Sequence, residues 1–147
     1  MSDAATTATE RPKPRRLEPP VTDTTEPFWE ATKEERLLVQ WCASCEHPHF
    51  YPREVCPQCL SSDSLEWRPA SGRGTVYAFS VQHRPANPFM ADRVPYTVAL
   101  VELEEGIRMM SNVIDVDPEQ VSVGMPVTVA WEDLSDGRKL PQFAPAK

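Results

Sequence analysis

Residues 41–60 read WCASCEHPHFYPREVCPQCL and hold all four cysteines of the chain as two Cys-x-x-Cys pairs, Cys42/Cys45 and Cys56/Cys59, with ten residues between them. A Cys-x-x-Cys turn brings two sulfurs to one point. Two such knuckles facing each other across a hairpin build a tetrahedral four-sulfur cage suited to Zn2+. Disulfides within each pair would be strained, and a redox-active Cys-x-x-Cys needs only one pair at a helix N-terminus, so neither accounts for the duplication. Iron in a rubredoxin-like electron carrier would use the same four sulfurs, and colour separates that reading from zinc. Knuckles favour glycine after the second cysteine, whereas Glu46 and Leu60 stand there. A left-handed backbone at those residues costs about 1 kcal/mol each, against a zinc-binding energy of order 10 kcal/mol. His47 and His49 are close by, but four cysteines already complete the ligand set. Trp41, Phe50, Tyr51 and Pro52 supply the apolar packing of a ribbon too small to be stable without its metal.

Upstream, Pro27 suits the first turn of a helix, where its missing N–H would have no partner anyway, and PFWEATKEERLL reads as a short amphipathic helix over 27–36. Phe28 and Trp29 are adjacent, so they point about 100° apart. Two readings stay open: both rings cover the core, or one of them meets a partner. The first 26 residues contain no aromatic, are rich in Thr, Ala and Pro, and read as a disordered tail. The run RPKPRR within it reads as a solvated basic cluster. The N-terminus lacks the basic-then-apolar order of a secretory signal, and no window of about 18 apolar residues could span a bilayer. A cytoplasmic location is therefore expected.

Downstream of Trp67 the pattern becomes strands. GRGTVYAFSVQHR, PYTVALVELEE, IRMMSNVIDV, MPVTVAWEDL and KLPQFAP are runs of alternating or continuous apolar residues. Alternation in the first run puts Tyr77, Phe79 and Val81 on one face, and these aromatics together with Trp131 are expected to be buried. Five strands joined by short turns and one long loop fit a small barrel, for which an OB-fold is the natural candidate. The chain has 147 residues, which suffices for one domain or two very small ones sharing a core. The predicted organisation is mainly β: tail 1–26, helix 27–36, zinc ribbon 37–68 and five-stranded OB-fold barrel 69–147.

Ribbons and OB-folds both occur in nucleic-acid binding, so charge is the test. Between Tyr96 and Asp136 lie nine acidic residues (Glu102, Glu104, Glu105, Asp115, Asp117, Glu119, Glu132, Asp133, Asp136) and one basic residue, Arg108. Polyanion binding depends on Lys and Arg releasing condensed counterions, so a barrel of this composition repels phosphate chains over much of its surface. A free-standing nucleic-acid module is the weaker alternative.

In their order, PFWEATKEERLLVQWCASCEHPHFYPREVCPQC, GTVYAFSVQHRP, PYTVALVELEEGIRMMSNVI, VGMPVTVAWEDL and LPQFAPA resemble the zinc-ribbon plus OB-fold family once labelled domain-of-unknown-function thirty-five. The resemblance runs from about Pro27 to Ala146. It implies a structural Zn2+ on Cys42, Cys45, Cys56 and Cys59. It also implies association with a thiolase-superfamily enzyme, such as a thiolase or an acyl-CoA aldolase of sterol side-chain breakdown, in a hetero-oligomer that holds or passes an acyl-CoA. For that role the loop HRPANPFMADRVP concentrates His83, Arg84, Phe89, Met90 and Arg93. Its arginines suit CoA phosphates, and its Phe and Met suit a pantetheine arm or a partner's surface. The competing reading is an ordinary proline-stiffened surface loop. No serine or cysteine sits in a recognisable nucleophile turn, and a closed four-sulfur zinc has no open position for water. His83 is the one candidate acid or base, so no catalytic residue is assigned and chemistry is expected in the partner.

Overall fold

The computed structural model of the chain describes residues 16–147. It begins with a short helix, α1 (Glu26–Thr32), with Pro27 in its first turn. The helix is shorter than the expected 27–36 because Glu35 takes a left-handed conformation (φ 58°) and the Arg36 N–H closes back on the Ala31 carbonyl at 3.1 Å. That pairing satisfies a terminal carbonyl and turns the chain toward buried Leu37. Thr32 is fully buried; its hydroxyl donates to the Trp29 carbonyl (2.6 Å) and accepts the Lys139 N–H (3.2 Å), tying the helix to the barrel.

The ribbon is a three-stranded sheet rather than a bare hairpin. Strand β1 (Leu38–Cys42) lies between β2 (His47–His49) and β3 (Leu65–Pro69), antiparallel to both. The first knuckle is the β1–β2 turn, and the second lies between β2 and β3. Five further strands follow: β4 (Arg73–Gln82), β5 (Tyr96–Leu103), β6 (Arg108–Val113), β7 (Pro126–Asp133) and β8 (Lys139–Pro145). They close a barrel in the order β4-β5-β6-β8-β7, with a parallel β6–β8 contact at Val113 and Phe143. All five fall within the runs read from sequence, and the topology is that of the five-stranded Greek-key OB barrel. A Cβ on Gly74 would stand 2.4 Å from the Glu102 carbonyl, so only glycine lets β4 approach β5 there.

One expectation fails at β4. Through Arg73–Phe79 the alternation puts Gly74, Val76 and Ala78 inward and Thr75, Tyr77 and Phe79 outward, across the register shift against β5 between Val76 and Ala78. Tyr77 is 46% exposed and covered by the Arg108 guanidinium at 3.6 Å. Phe79 is also exposed, at 37%. Val76 points inward instead, among Val101, Val127 and Phe143. Trp131 is half-buried against the same core.

The expected tail also differs. Residues 16–25 lie against the barrel, where Arg16 bonds Glu132 (2.5 Å) and Asn112 (3.3 Å), Glu18 accepts the N–H and hydroxyl of Ser135, and Arg138 donates to the Pro19 carbonyl. Polar anchors of this kind leave no hydrophobic signature in the sequence. The remainder of the expected tail, residues 1–15 with most of the RPKPRR run, lies outside the described residues.

Candidate metal centre and apolar cleft

The metal centre begins with backbone geometry. Glu46 and Leu60, the residues after each second cysteine, hold φ values of 51° and 59°, the left-handed turn that a knuckle requires. The Leu60 N–H bonds the Cys56 carbonyl at 2.9 Å, and the Cys56 N–H bonds the Ser61 carbonyl at 2.9 Å. These turns gather the sulfurs of Cys42, Cys45, Cys56 and Cys59 within 4.8 Å of one another. The Cys42–Cys59 and Cys45–Cys56 separations are 3.7 and 3.9 Å. A tetrahedron with Zn–S bonds of about 2.3 Å has edges of about 3.8 Å. The thiols are not bridged to one another, so the donor set fits one structural Zn2+.

Electrostatics favour thiolate at one corner. Backbone N–H groups of Cys59 and Gln58 lower the Cys56 thiol to about 6, whereas hydrogen bonding to Cys59 and partial burial push Cys45 up to about 12. When bound, the ion takes the place of the shared thiol protons and fixes the ribbon. His47 is exposed. His49 is buried and shares Gln40 with the backbone N–H of Arg53 (His Nε2 to Gln40 Oε1 2.6 Å, Arg53 N to Gln40 Oε1 2.7 Å). Neither histidine belongs to the cage.

Next to the ribbon, the helix, the Phe50–Pro52 turn and the outer surface of β5, β6 and β8 enclose a mainly apolar cleft of about 530 Å³. Phe28 and Trp29 form its inner wall; both are buried, at 5% and 8% exposure, and meet edge to face at 5.0 Å. The core reading therefore holds for both rings, and what they present is a cleft surface. Tyr51 joins ribbon to barrel by accepting the Met110 N–H at 3.2 Å. Adjacent Met109 and Met110 both line the cleft although one is buried and the other 58% exposed.

The five loop residues do not converge. Met90 reaches the cleft, and Phe89 is half-buried beside the Asn87 side chain, which caps the short 3-10 turn Pro88–Arg93 by accepting the Phe89 N–H. Arg93 is paired with Glu132 at 2.7 Å. His83 and Arg84 remain exposed, with no side-chain hydrogen bond among the described residues. Sequence reasoning missed Arg16, Tyr96, Asn112 and the two methionines of β6 as cleft residues. The only available signal was the Met109-Met110 doublet, which places one flexible apolar side chain on each face of a strand.

Two family models match the chain: the rubredoxin-like zinc ribbon domain of ChsH2 over residues 29–66 and the C-terminal OB-fold domain of ChsH2 over residues 67–132. Among curated proteins, a probable enoyl-CoA hydratase alpha subunit of Thermomonospora curvata is 40% identical over 136 residues, covering 91% of this chain. The match spans 42% of that relative's length. A DUF35 domain-containing scaffold protein of Methanocaldococcus jannaschii is 37% identical, with 74% of this chain and 80% of the relative covered. Among solved structures, a chain of an Ltp2-ChsH2(DUF35) aldolase is 37% identical with a TM-score of 0.78, over 88% of this chain and 100% of that one.

Proposed function

The chain belongs to the DUF35 family of zinc-ribbon and OB-fold scaffold proteins, and on that premise we propose that it is a cytoplasmic, non-catalytic accessory subunit of a thiolase-superfamily enzyme, a thiolase or an acyl-CoA aldolase, that helps hold the acyl-CoA substrate. The observation that carries this reading is the 530 Å³ cleft, whose size and apolar walls suit an acyl or pantetheine group. Met90 of the long loop lines it together with Arg16, whose guanidinium is paired with Glu132, which gives an acyl chain an apolar bed. The solved relative is named as part of an aldolase, and other relatives are named as hydratase alpha subunits or scaffold proteins. A subunit in a hetero-oligomer is the role that joins those names to this chain. The four thiols serve the metal, and His83 stands apart from the cleft lining, so bond making and breaking falls to the partner.

The test is binding and turnover side by side. The isolated chain should bind a long-chain acyl-CoA with a change in tryptophan emission that is lost in Trp29→Phe, bind free CoA at least about tenfold more weakly, and turn over neither. Met110→Lys, at an exposed residue of the cleft, should abolish the acyl preference without unfolding. Turnover by the isolated chain, or acyl-CoA binding indifferent to Met110→Lys, would sink the proposal.

A further inference from the structure

Strand β4 is ten residues long, and β5 pairs with it from Gly74 to Gln82. On its other side β7 pairs only with Arg73–Thr75, after which the Val76 N–H bonds the Met125 carbonyl and the Val76 carbonyl accepts the Gly124 N–H. Beyond that point, no backbone group of a described residue bonds the side of Tyr77–Gln82 turned away from β5. Proteins guard open sheet edges with charge, proline or bulges. The stretch Tyr-Ala-Phe-Ser-Val-Gln has no charge and no proline, and its one bulge lies at its first residue, Tyr77, leaving Ala78–Gln82 in unbroken register with β5.

Side chains mark the same edge. Tyr77, Phe79 and Val123 are exposed at 46, 37 and 67%, and Val123 directly precedes the Gly124 that bonds β4. In a chain of net charge −7 the stretch itself carries no charge; the Arg108 guanidinium covers Tyr77 at its start, and it ends at exposed Arg84, which has no ion-pair partner among the described residues. Unpaired backbone along an edge specifies an extended strand as occupant, since only a strand can use those groups in series. The cation at the end specifies an acidic residue on that strand.

We infer that the partner subunit docks by adding an extended strand to the free edge of β4 at Tyr77–Gln82, uncharged along its length and with a carboxylate beside Arg84. This rests on the accessory-subunit reading and names the surface through which it works.

The experiment uses the complex of this chain with its thiolase-superfamily partner. Phe79→Lys and Arg84→Glu should each weaken association at least about tenfold. Val55→Lys, at an exposed apolar residue of the ribbon, should leave it unchanged. Amide hydrogens of residues 77–82 should exchange more slowly in the complex than in the free chain. Arg84 has no hydrogen-bond or ion-pair partner among the described residues, so Arg84→Glu reads docking and not folding. A complex that forms with unaltered affinity for both variants, or without added protection at 77–82, overturns the edge inference and leaves the accessory reading standing. Weakening by Val55→Lys as large as by Phe79→Lys moves docking to the ribbon and overturns it as well. If no thiolase-superfamily protein forms a complex, both fall together.

Discussion

Glu132 shows how much of this fold is decided by single side chains far apart in sequence. Its carboxylate accepts from Arg16, 116 residues upstream, from Arg93 on the long loop, and from Gln142 on the neighbouring strand. Burial by itself would raise its pKa. The hydrogen bond from Arg93 and the charges of Arg16 and Arg93 outweigh burial and hold the carboxyl below the ordinary value near 4.5. A depressed folded value means that its stabilisation is complete above the ordinary value and fades as pH falls through the lower one. Glu132→Gln should therefore cost about 1–3 kcal/mol at neutral pH, and the difference from the unsubstituted protein should close on acidification below the ordinary value. Denaturant titrations at several pH values check this, and a loss independent of pH would contradict it. Thr32→Val is a second test, because it removes the bond to Trp29 and strands the Lys139 N–H. A loss of about 1–3 kcal/mol is expected in the same titrations. Neither site was legible in the sequence: Glu132 reads there as one of nine acidic residues, and Thr32 as a weak helix former. Only the closed chain brings their partners near.

Elements were far more legible than contacts. The cysteine spacing located both knuckles down to the left-handed residues Glu46 and Leu60, because metal geometry leaves the backbone little choice. Apolar alternation located every barrel strand, since each presents one face to a shared interior. Alternation was read in the wrong phase only in β4, where Gly74, Val76 and Ala78, not Tyr77 and Phe79, face inward. Alternation alone does not say which face meets the core, and the larger apolar side chains Tyr77 and Phe79 read as core although the smaller Gly74, Val76 and Ala78 take that face. Close approach of β4 and β5 yields a prediction at this scale. Gly74→Ala would press a methyl onto the Glu102 carbonyl and should lower stability by about 2 kcal/mol, read as a reduced thermal midpoint. Metal removal gives another. The ribbon's own buried apolar residues are few, Leu37 and Val39 beside the cysteines, so its sheet depends on the ion. A strong chelator should abolish amide protection in β1–β3 while β4–β8 keep theirs. Equal protection of the ribbon with and without zinc would refute that dependence.

Across the whole molecule, helix, ribbon and barrel share one core: Phe28 and Trp29 of α1 and Val39 of β1 belong to the same buried cluster as Val76, Val101 and Phe143 of the barrel. The barrel's acidity is also a property of the assembled molecule. Glu102 and Glu104 are paired with Arg108 and Arg73, Glu132 with Arg16 and Arg93, and Asp136 with Arg138, so most of the local cations are already engaged. The segment 16–25 belongs to this scale too. Sequence composition assigns it to a tail, yet it runs along the cleft and supplies Arg16, Pro19 and Thr25 to the lining. What holds it is polar: Arg16 on Glu132, Glu18 on Ser135, and Arg138 on the Pro19 carbonyl while that guanidinium also lies 4.9 Å over the Trp29 ring. Removing residues 1–23 deletes those partners and one wall of the cleft but leaves the Pro27 turn, the cage and every barrel strand. The truncated protein should retain its zinc and its barrel, lose about 2 kcal/mol of stability, show red-shifted tryptophan emission, and bind an apolar dye more strongly than the full chain. Charge screening should move the full chain part of the way toward the same state, because ion pairs on the partly exposed strap weaken with salt whereas apolar packing does not. Unchanged emission and dye binding after truncation would show that the segment contributes nothing to the cleft, which would then be walled by helix, ribbon and barrel alone.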